Sequence, residues 1–188
     1  MSLVIATHDG NFHADDVLAA AMLRHFVDED AIIVRTRDVA ALAEADVVFD
    51  VGHVFDPARR RFDHHQREYE GNRSSAGMVL DHLEEGGYVD SEIAGRLRAE
   101  LVDYVDAIDT GKRRSDEGVP CFSMVIGVLN ENANEDFDRW FARGVEIARD
   151  VVRGLVRSVE RAREAADLVR TSMREAEEAG SKILRLPR

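Results

Sequence analysis

Leu3-Val4-Ile5-Ala6-Thr7-His8-Asp9-Gly10-Asn11-Phe12-His13-Ala14-Asp15-Asp16, followed by an alanine-rich segment ending at Phe26, decides the fold class of this 188-residue chain. Leu3 to Thr7 is a short β-branched run and reads as a strand. Val17, Leu18, Ala21 and Met22 then recur at helical spacing, so Ala14 to Val27 reads as a helix. Working outward, Ile32 to Thr36 and Val47 to Val51 are two more strand-like runs. Between them, Asp38 to Ala45 reads as a second crossover helix with Asp38 as its N-cap. Strands alternating with helices at this spacing predict an α/β fold with a parallel sheet and flanking helices. Phe55 to Phe62, with Asp56-Pro57 inside it, reads as a tight hairpin or loop.

From Ser74 onward the pattern is nearly all helical. Ser74 and Ser75 precede a helix over Ala76 to Leu83, and Ser91 precedes a pattern that runs to Asp109 and stops at Gly111. Lys112 to Pro120 is a polar connector and is expected to be the most mobile loop. Phe141, Val145, Ala148, Val152, Leu155, Val159, Ala162, Ala166, Val169 and Met173 step by four and three without interruption. A helix of that length is roughly 50 Å long at 1.5 Å per residue, more than one domain of this size can cover. Part of the stripe is therefore expected against a partner subunit, such as a second copy in a homodimer, or against a further domain, unless Gly144 or Gly154 breaks the helix. The chain is expected to form one domain over residues 1–180.

Composition narrows the classes. A hydrophobic fraction of 45% with 33% charged residues describes a globular protein with a core. No apolar run reaches the roughly 20 residues needed to cross a bilayer, and no basic stretch precedes the first apolar run, so a signal peptide is not expected. Cys121 stands alone, which excludes an intramolecular disulfide and a thiolate metal cluster. A cytoplasmic location without membrane contact is the default expectation. The net charge is −12, which argues against binding nucleic acid through bulk electrostatics.

The chemistry-bearing residues sit where the elements end. His8, His13 and Asp15 follow the first strand, Asp50 closes the third, and Asp63-His64-His65 comes after the hairpin. Ligands bind at the carboxyl edge of an open parallel sheet, because the loops there converge. Imidazole and carboxylate together suit Mn²⁺, Fe²⁺, Co²⁺ or Zn²⁺ better than an all-oxygen cage would. Two such ions, about 3.5–4 Å apart, activate a water and neutralise phosphoryl charge, with a shared carboxylate between them. Asp50 is well placed to be that carboxylate. Arg59, Arg60, Arg61, Arg67 and Arg73 around the Asp-His-His run, and Lys112, Arg113 and Arg114 further on, are candidates for drawing in a phosphate. Ser74 and Ser75 at a helix start are either plain N-caps or part of an anion site.

Thr-His-Asp-Gly-x-Phe-His-Ala-Asp-Asp (Thr7 to Asp16), Phe-Asp-Val-Gly (Phe49 to Gly52), Phe-Asp-Pro-x-x-x-Arg-Phe-Asp-His-His-Gln-Arg (Phe55 to Arg67) and Ser-Ser-Ala-Gly (Ser74 to Gly77) resemble the melanocyte-proliferating-gene family, a branch of the DHH phosphoesterases. The likeness runs from residue 3 to about residue 178. It implies a DHH-type domain with two divalent ions, Mn²⁺ ahead of Mg²⁺, and 3′-to-5′ exonuclease action on RNA or short oligonucleotides. By position it makes His8, His13 and Asp15 ligands, although His13 stands where most such proteins have aspartate. It makes Asp50 the metal bridge and His64 a further ligand, with Asp63 and His65 in supporting or phosphate-contact roles. A fourth motif offers Asp106 and Asp109, and Asp109 resembles it better. The expected set is then metal ligands His8, His13, Asp15, Asp50, His64, Asp109 and Asp106; catalytic groups Asp50, His65 and Arg67; and substrate contacts Arg61, Arg67, Ser74, Ser75 and Lys112.

The resemblance also implies a second, smaller substrate-binding domain, and residues 181–188 look like its opening strand. Alternatives to the nuclease are a small-molecule phosphatase or pyrophosphatase, and a non-catalytic metal-binding module acting through its long helix.

Overall fold

The computed structural model describes residues 2–114 and 120–180. Its centre is a five-stranded sheet of β1 (Val4–Thr7), β2 (Ile32–Arg35), β3 (Val47–Phe49), β4 (Phe55–Asp56) and β5 (Arg61–Phe62), in the order β2-β1-β3-β5-β4. All neighbours run parallel except β4, which pairs antiparallel with β5 across the predicted hairpin. Register aligns the strand ends. Ala6 lies opposite Val48, and Phe49 lies opposite Phe62, so the next residues along the three strands come out on one edge. Those residues include His8, Asp50 and Asp63.

α1 (Ala14–Phe26) is the middle of the core. Every residue from Ala14 to Leu23 is buried, which accounts for its alanine-rich, weakly amphipathic sequence: a helix covered on all sides needs no polar face. One side meets the sheet, while α3 (Ser75–Glu85) and α7 (Phe137–Glu178) pack on it elsewhere. On the opposite sheet face α2 (Val39–Glu44) closes a smaller cluster of Ala6, Leu42, Ala45, Val48 and Val51. Asp38 caps α2 as predicted, accepting the Ala41 N–H at 2.8 Å.

The helical half differs in detail from the sequence pattern. The segment expected as one helix from Ser91 to Asp109 is α4 (Ser91–Leu97), a π-type stretch over Arg98–Val102, and α5 (Asp103–Asp109). Its N-cap is Asp90, whose carboxylate accepts the amides of Glu92 and Ile93. A further helix, α6 (Phe122–Glu131), precedes α7; its short apolar pattern does not stand out beside the much longer and more regular stripe of α7. Residues 115–119 of the predicted mobile connector, and residues 181–188 of the predicted further strand, lie outside the described residues.

α7 has 42 residues without a break, about 63 Å at the usual rise. Gly144 is a packing position rather than a helix breaker. A Cβ there would meet both methyl groups of Val17 at 3.4 Å, which places Gly144 where α7 crosses α1. The buried stripe runs from Phe141 to Val159; beyond it Leu168, Val169 and Met173 are exposed. No helix among the described residues is long and apolar enough to cross a membrane.

Candidate metal centre

Asp50 sits at the hub of the sheet edge. Its backbone has left the strand, with φ of 55°, and Gly52 and His53 come next at 96° and 55°. Three left-handed residues in four explain why β3 ends at Phe49 rather than at Val51; aspartate is among the few non-glycine residues that tolerate this region. The turn is fixed by the Asp50 N–H, which donates to the Phe62 carbonyl at 3.1 Å. His8 Nε2 lies 3.2 Å from Asp50 Oδ2 and 3.3 Å from Asp16 Oδ2. On the other side His64 Nε2 is 3.7 Å from Asp50 Oδ1 and 3.1 Å from Asp109 Oδ2, and His65 Nδ1 is 3.5 Å from Asp50 Oδ1.

Among the described residues, potential ligand atoms fall into four overlapping groups, each within 4.8 Å: His8-His13-Asp50, Asp50-His64-His65, His13-Asp15-Asp109 and Asp15-Asp16-Asp50. Asp50 belongs to three of them. Four carboxylates and four imidazoles thus converge below one surface.

The electrostatics of this cluster call for a cation. Asp15 is fully buried, and neither of its oxygens has a hydrogen-bond donor. Burial pushes its carboxyl well above the usual range, and Asp50, Asp109 and Asp16 push it further. Burial and then Asp50 raise Asp16 to about 7. Asp109 is raised by the same two causes. Burial would also raise Asp50, but the His8 hydrogen bond and the nearby His65 and His64 outweigh it and hold Asp50 low. A buried acceptor without a donor costs on the order of 1–3 kcal/mol, and bound cations remove that penalty. Mixed imidazole and carboxylate donors fit a divalent transition ion.

Asp63 is engaged differently. Its Oδ1 accepts the His65 N–H at 2.9 Å and lies 2.8 Å from His65 Nδ1, while Oδ2 accepts the His53 N–H at 2.7 Å. Burial opposes these bonds, yet together they hold the Asp63 carboxyl at about 2. The same hydrogen bond raises His65, whose ring is half-exposed to the cavity.

Of the two fourth-motif aspartates, only Asp109 is brought to the cluster. Asp106 is buried at the start of α3. Its Oδ1 accepts Ser74 N–H, Ser74 Oγ–H and Gly77 N–H at 3.0, 2.7 and 3.1 Å, and Oδ2 accepts from Arg73 at 3.2 Å. Here a carboxylate satisfies the exposed amides of a helix N-terminus, which corrects its placement among the expected ligands. Gly77 belongs to this arrangement, because a Cβ there would lie 2.2 Å from Asp106 Oδ2. Ser75 faces the cluster, with its Oγ 3.2 Å from Asp50 Oδ1 and 2.9 Å from the Phe62 carbonyl.

Two of the arginines expected to funnel substrate, Arg61 and Arg73, are occupied elsewhere. Arg61 donates to the carbonyls of Arg59, Leu42 and Ala45, bracing the end of α2. Arg73 pairs with Asp81, Asp103 and Asp106. Arg67 is exposed and does not line the cavities of about 560, 370 and 270 Å³ at the cluster. Lys112 does reach the site, bonding Asn72 and lining a cavity of about 270 Å³ with His64, His65 and Asp109.

A cavity of about 560 Å³ opens over His8, His13, Asp50 and His65, and its walls include Arg37 and His53. Another of about 370 Å³ lies between His13, Asp109 and α6. Sequence reasoning did not single out Asp16, Arg37 or His53. Asp16 was masked by its capping role, since its Oδ1 accepts the His13 N–H at 2.9 Å. Arg37 lies just past the end of β2, so the rule that located His8 and Asp50 would have found it.

A mainly parallel α/β sheet with an acidic and imidazole cluster on its carboxyl edge defines a candidate metal-binding protein. The family described as MYG1_exonuc, uncharacterised protein family (UPF0160), matches residues 4–188, and the chain belongs to this family. A MYG1 protein of Chlamydia pneumoniae is 47% identical over 140 residues, covering 71% of this chain and 48% of that protein. The MYG1 exonuclease of Homo sapiens is 33% identical over 181 residues, covering 78% and 48%. A MYG1 protein of Caenorhabditis elegans is 34% identical over 179 residues, covering 78% and 52%. The chain spans about half the length of these relatives. No solved structure matches it.

Proposed function

We propose that this chain is a metal-dependent phosphodiester hydrolase of the DHH type, acting as a 3′-to-5′ exonuclease on RNA or short oligonucleotides. One observation carries the metal: the Asp15 carboxylate is wholly buried without a donor, amid Asp16, Asp50 and Asp109. The exonuclease named among the relatives supports the reaction class.

His8, His13, Asp15, Asp50, His64 and Asp109 would hold two divalent ions, Mn²⁺ ahead of Mg²⁺, with Asp50 shared between them and Asp16 supporting His8. Bound there, the ions supply an activated water and neutralise charge on the phosphoryl oxygens. The chain's own groups do the rest. Asp63 fixes His65 through two contacts and favours its protonated form, so His65 presents a proton or a positive charge toward a phosphate. Ser75 holds the Asp50 carboxylate. Lys112 offers a cation on the Asp109 side. Arg61 drops out as a contact, because it is spent on backbone carbonyls.

Hydrolysis of a 5′-labelled oligoribonucleotide with added Mn²⁺ tests this. Stepwise shortening from the 3′ end, abolished by EDTA and by Asp50→Ala, is expected. Cleavage of pyrophosphate with no action on the oligonucleotide would assign a small-molecule phosphatase instead.

A further inference from the structure

The cavity over the cluster carries two groups that the proposed hydrolysis leaves unused. Arg37 lies just beyond the carboxyl end of β2, and His53 lies in the left-handed turn after β3; both line the wall that also holds His8 and His65. Arg37 is held by one bond, from its Nε to Asp9 Oδ1 at 3.0 Å. Both terminal nitrogens of its guanidinium have no partner among the described residues. Its side chain is 65% exposed and that of Asp9 58%. An ion pair so exposed contributes little to stability, so the fold itself does not require it. A guanidinium held at Nε presents its remaining N–H groups as a fork, a shape that matches two oxygens of a phosphate.

His53 is placed with more constraint. Its φ is 55°, a region that disfavours a side chain. Its N–H donates to the buried Asp63 carboxylate, and its ring lies 6.5 Å from that of His65. One carboxylate thereby anchors the backbone of His53 and both the backbone and the ring of His65.

We infer that Arg37 and His53 form a second phosphate subsite, so that the substrate is a nucleic acid spanning at least two phosphates, one at the cluster and the next on this wall. The inference rests on the phosphodiesterase assignment above. A cavity of 560 Å³ is in the range that admits a nucleotide-sized group. In a chain of net charge −12, a local pair of donors on one wall gives an anionic strand a direction of approach that bulk charge does not.

The test compares a dinucleoside monophosphate, which offers only the scissile phosphate, with a tetranucleotide, using the full chain with Mn²⁺. The variants are Arg37→Met and His53→Gly, the second suited to the left-handed backbone. In each variant the ratio of kcat/KM for the tetranucleotide to that for the dinucleoside monophosphate is expected to fall by roughly tenfold, as loss of a charge-assisted contact predicts. The salt dependence of KM for the tetranucleotide should flatten by about 0.7 in log–log slope in Arg37→Met, one phosphate contact on a single strand. Arg37→Lys should restore part of both. A ratio and slope that stay at the wild-type values overturn the subsite while leaving the hydrolase intact. A wild type that cleaves neither substrate overturns the hydrolase assignment, and the subsite with it.

Discussion

Replacing Gly77 by alanine is a severe change at a position that looks permissive. In an ordinary helix the substitution is favourable by about 1 kcal/mol. Here the new Cβ would stand 2.2 Å from Asp106 Oδ2, 2.8 Å from Asp106 Cγ and 2.6 Å from Arg73 Cδ. Arg73 cannot swing aside freely, because Asp81, Asp103 and Asp106 all hold its guanidinium. Asp106 must therefore retreat by about an ångström, which breaks or stretches the bonds that its Oδ1 accepts from Ser74 and Gly77. A hydrogen bond to a charged group contributes about 1.5–3 kcal/mol. Losing two at a carboxylate only 2% exposed, less the helix gain, leaves a net destabilisation of about 2–5 kcal/mol. Urea unfolding of the metal-free protein measures it. Asp106→Ala removes the obstruction, so Gly77→Ala introduced into that background should be neutral or stabilising. The double-mutant cycle should thus return a coupling of about 2 kcal/mol or more. A Gly77→Ala variant within about 0.5 kcal/mol of wild type, or a cycle that is simply additive, refutes the proposed packing of Asp106 at the start of α3.

Other perturbations have equally definite outcomes. Asp63 is held at about 2 in the folded protein, below its unfolded value near 3.9, so its contribution is present above about pH 4 and is lost as pH falls toward 2. That amounts to about 2.5 kcal/mol, and in Asp63→Asn this portion of the acid-induced loss, measured as the difference from wild type, should vanish; an unchanged acid profile contradicts it. Asp15 and Asp16 carry the opposite sign, since their raised carboxyls favour the metal-free fold at low pH and weaken it as pH rises, for Asp16 from about 4 toward 7. Asp15→Asn should raise the melting temperature of EDTA-treated protein at pH 8 while weakening Mn²⁺ binding, and a lowered melting temperature would count against a strained acidic cluster. Arg35 packs 4.6 Å from the Phe141 ring centroid and bonds Asp138 and the Gly10 carbonyl. Arg35→Leu should cost about 2–4 kcal/mol and loosen the His8 to His13 loop, seen as faster amide exchange there; exchange unchanged in that loop would show that it is held by other contacts.

Much of this architecture is legible in the sequence because its signals are local. The β-branched runs, the Asp38 cap and the hairpin at Asp56-Pro57 each depend on neighbours a few positions away, and all three appear in the structure. The residues after each strand were also legible, since a parallel sheet sends them to one edge whatever else the chain does. What escaped was decided at long range. Asp106 and Asp109 are three apart on one helical stretch, and only the position of α3 assigns one to its N-terminus and the other to the cluster. Arg61 and Arg73 look like free cations in a string of letters, yet carbonyls and carboxylates from distant elements occupy them. The π-type stretch at Arg98–Val102 leaves a continuous helical pattern in the sequence, so no break is visible there. Gly144 resembles a helix breaker until Val17 is seen against it.

On the proposed function, His8, His13, Asp15, Asp50, His64 and Asp109 together hold two divalent ions. Elemental analysis after loading with Mn²⁺ and removal of excess by gel filtration tests it most directly. Two manganese ions per chain in the wild type, and fewer in Asp50→Ala at unchanged folding, is the expected result. A loaded wild-type protein that retains no metal, or one whose metal content is indifferent to Asp50, would contradict it.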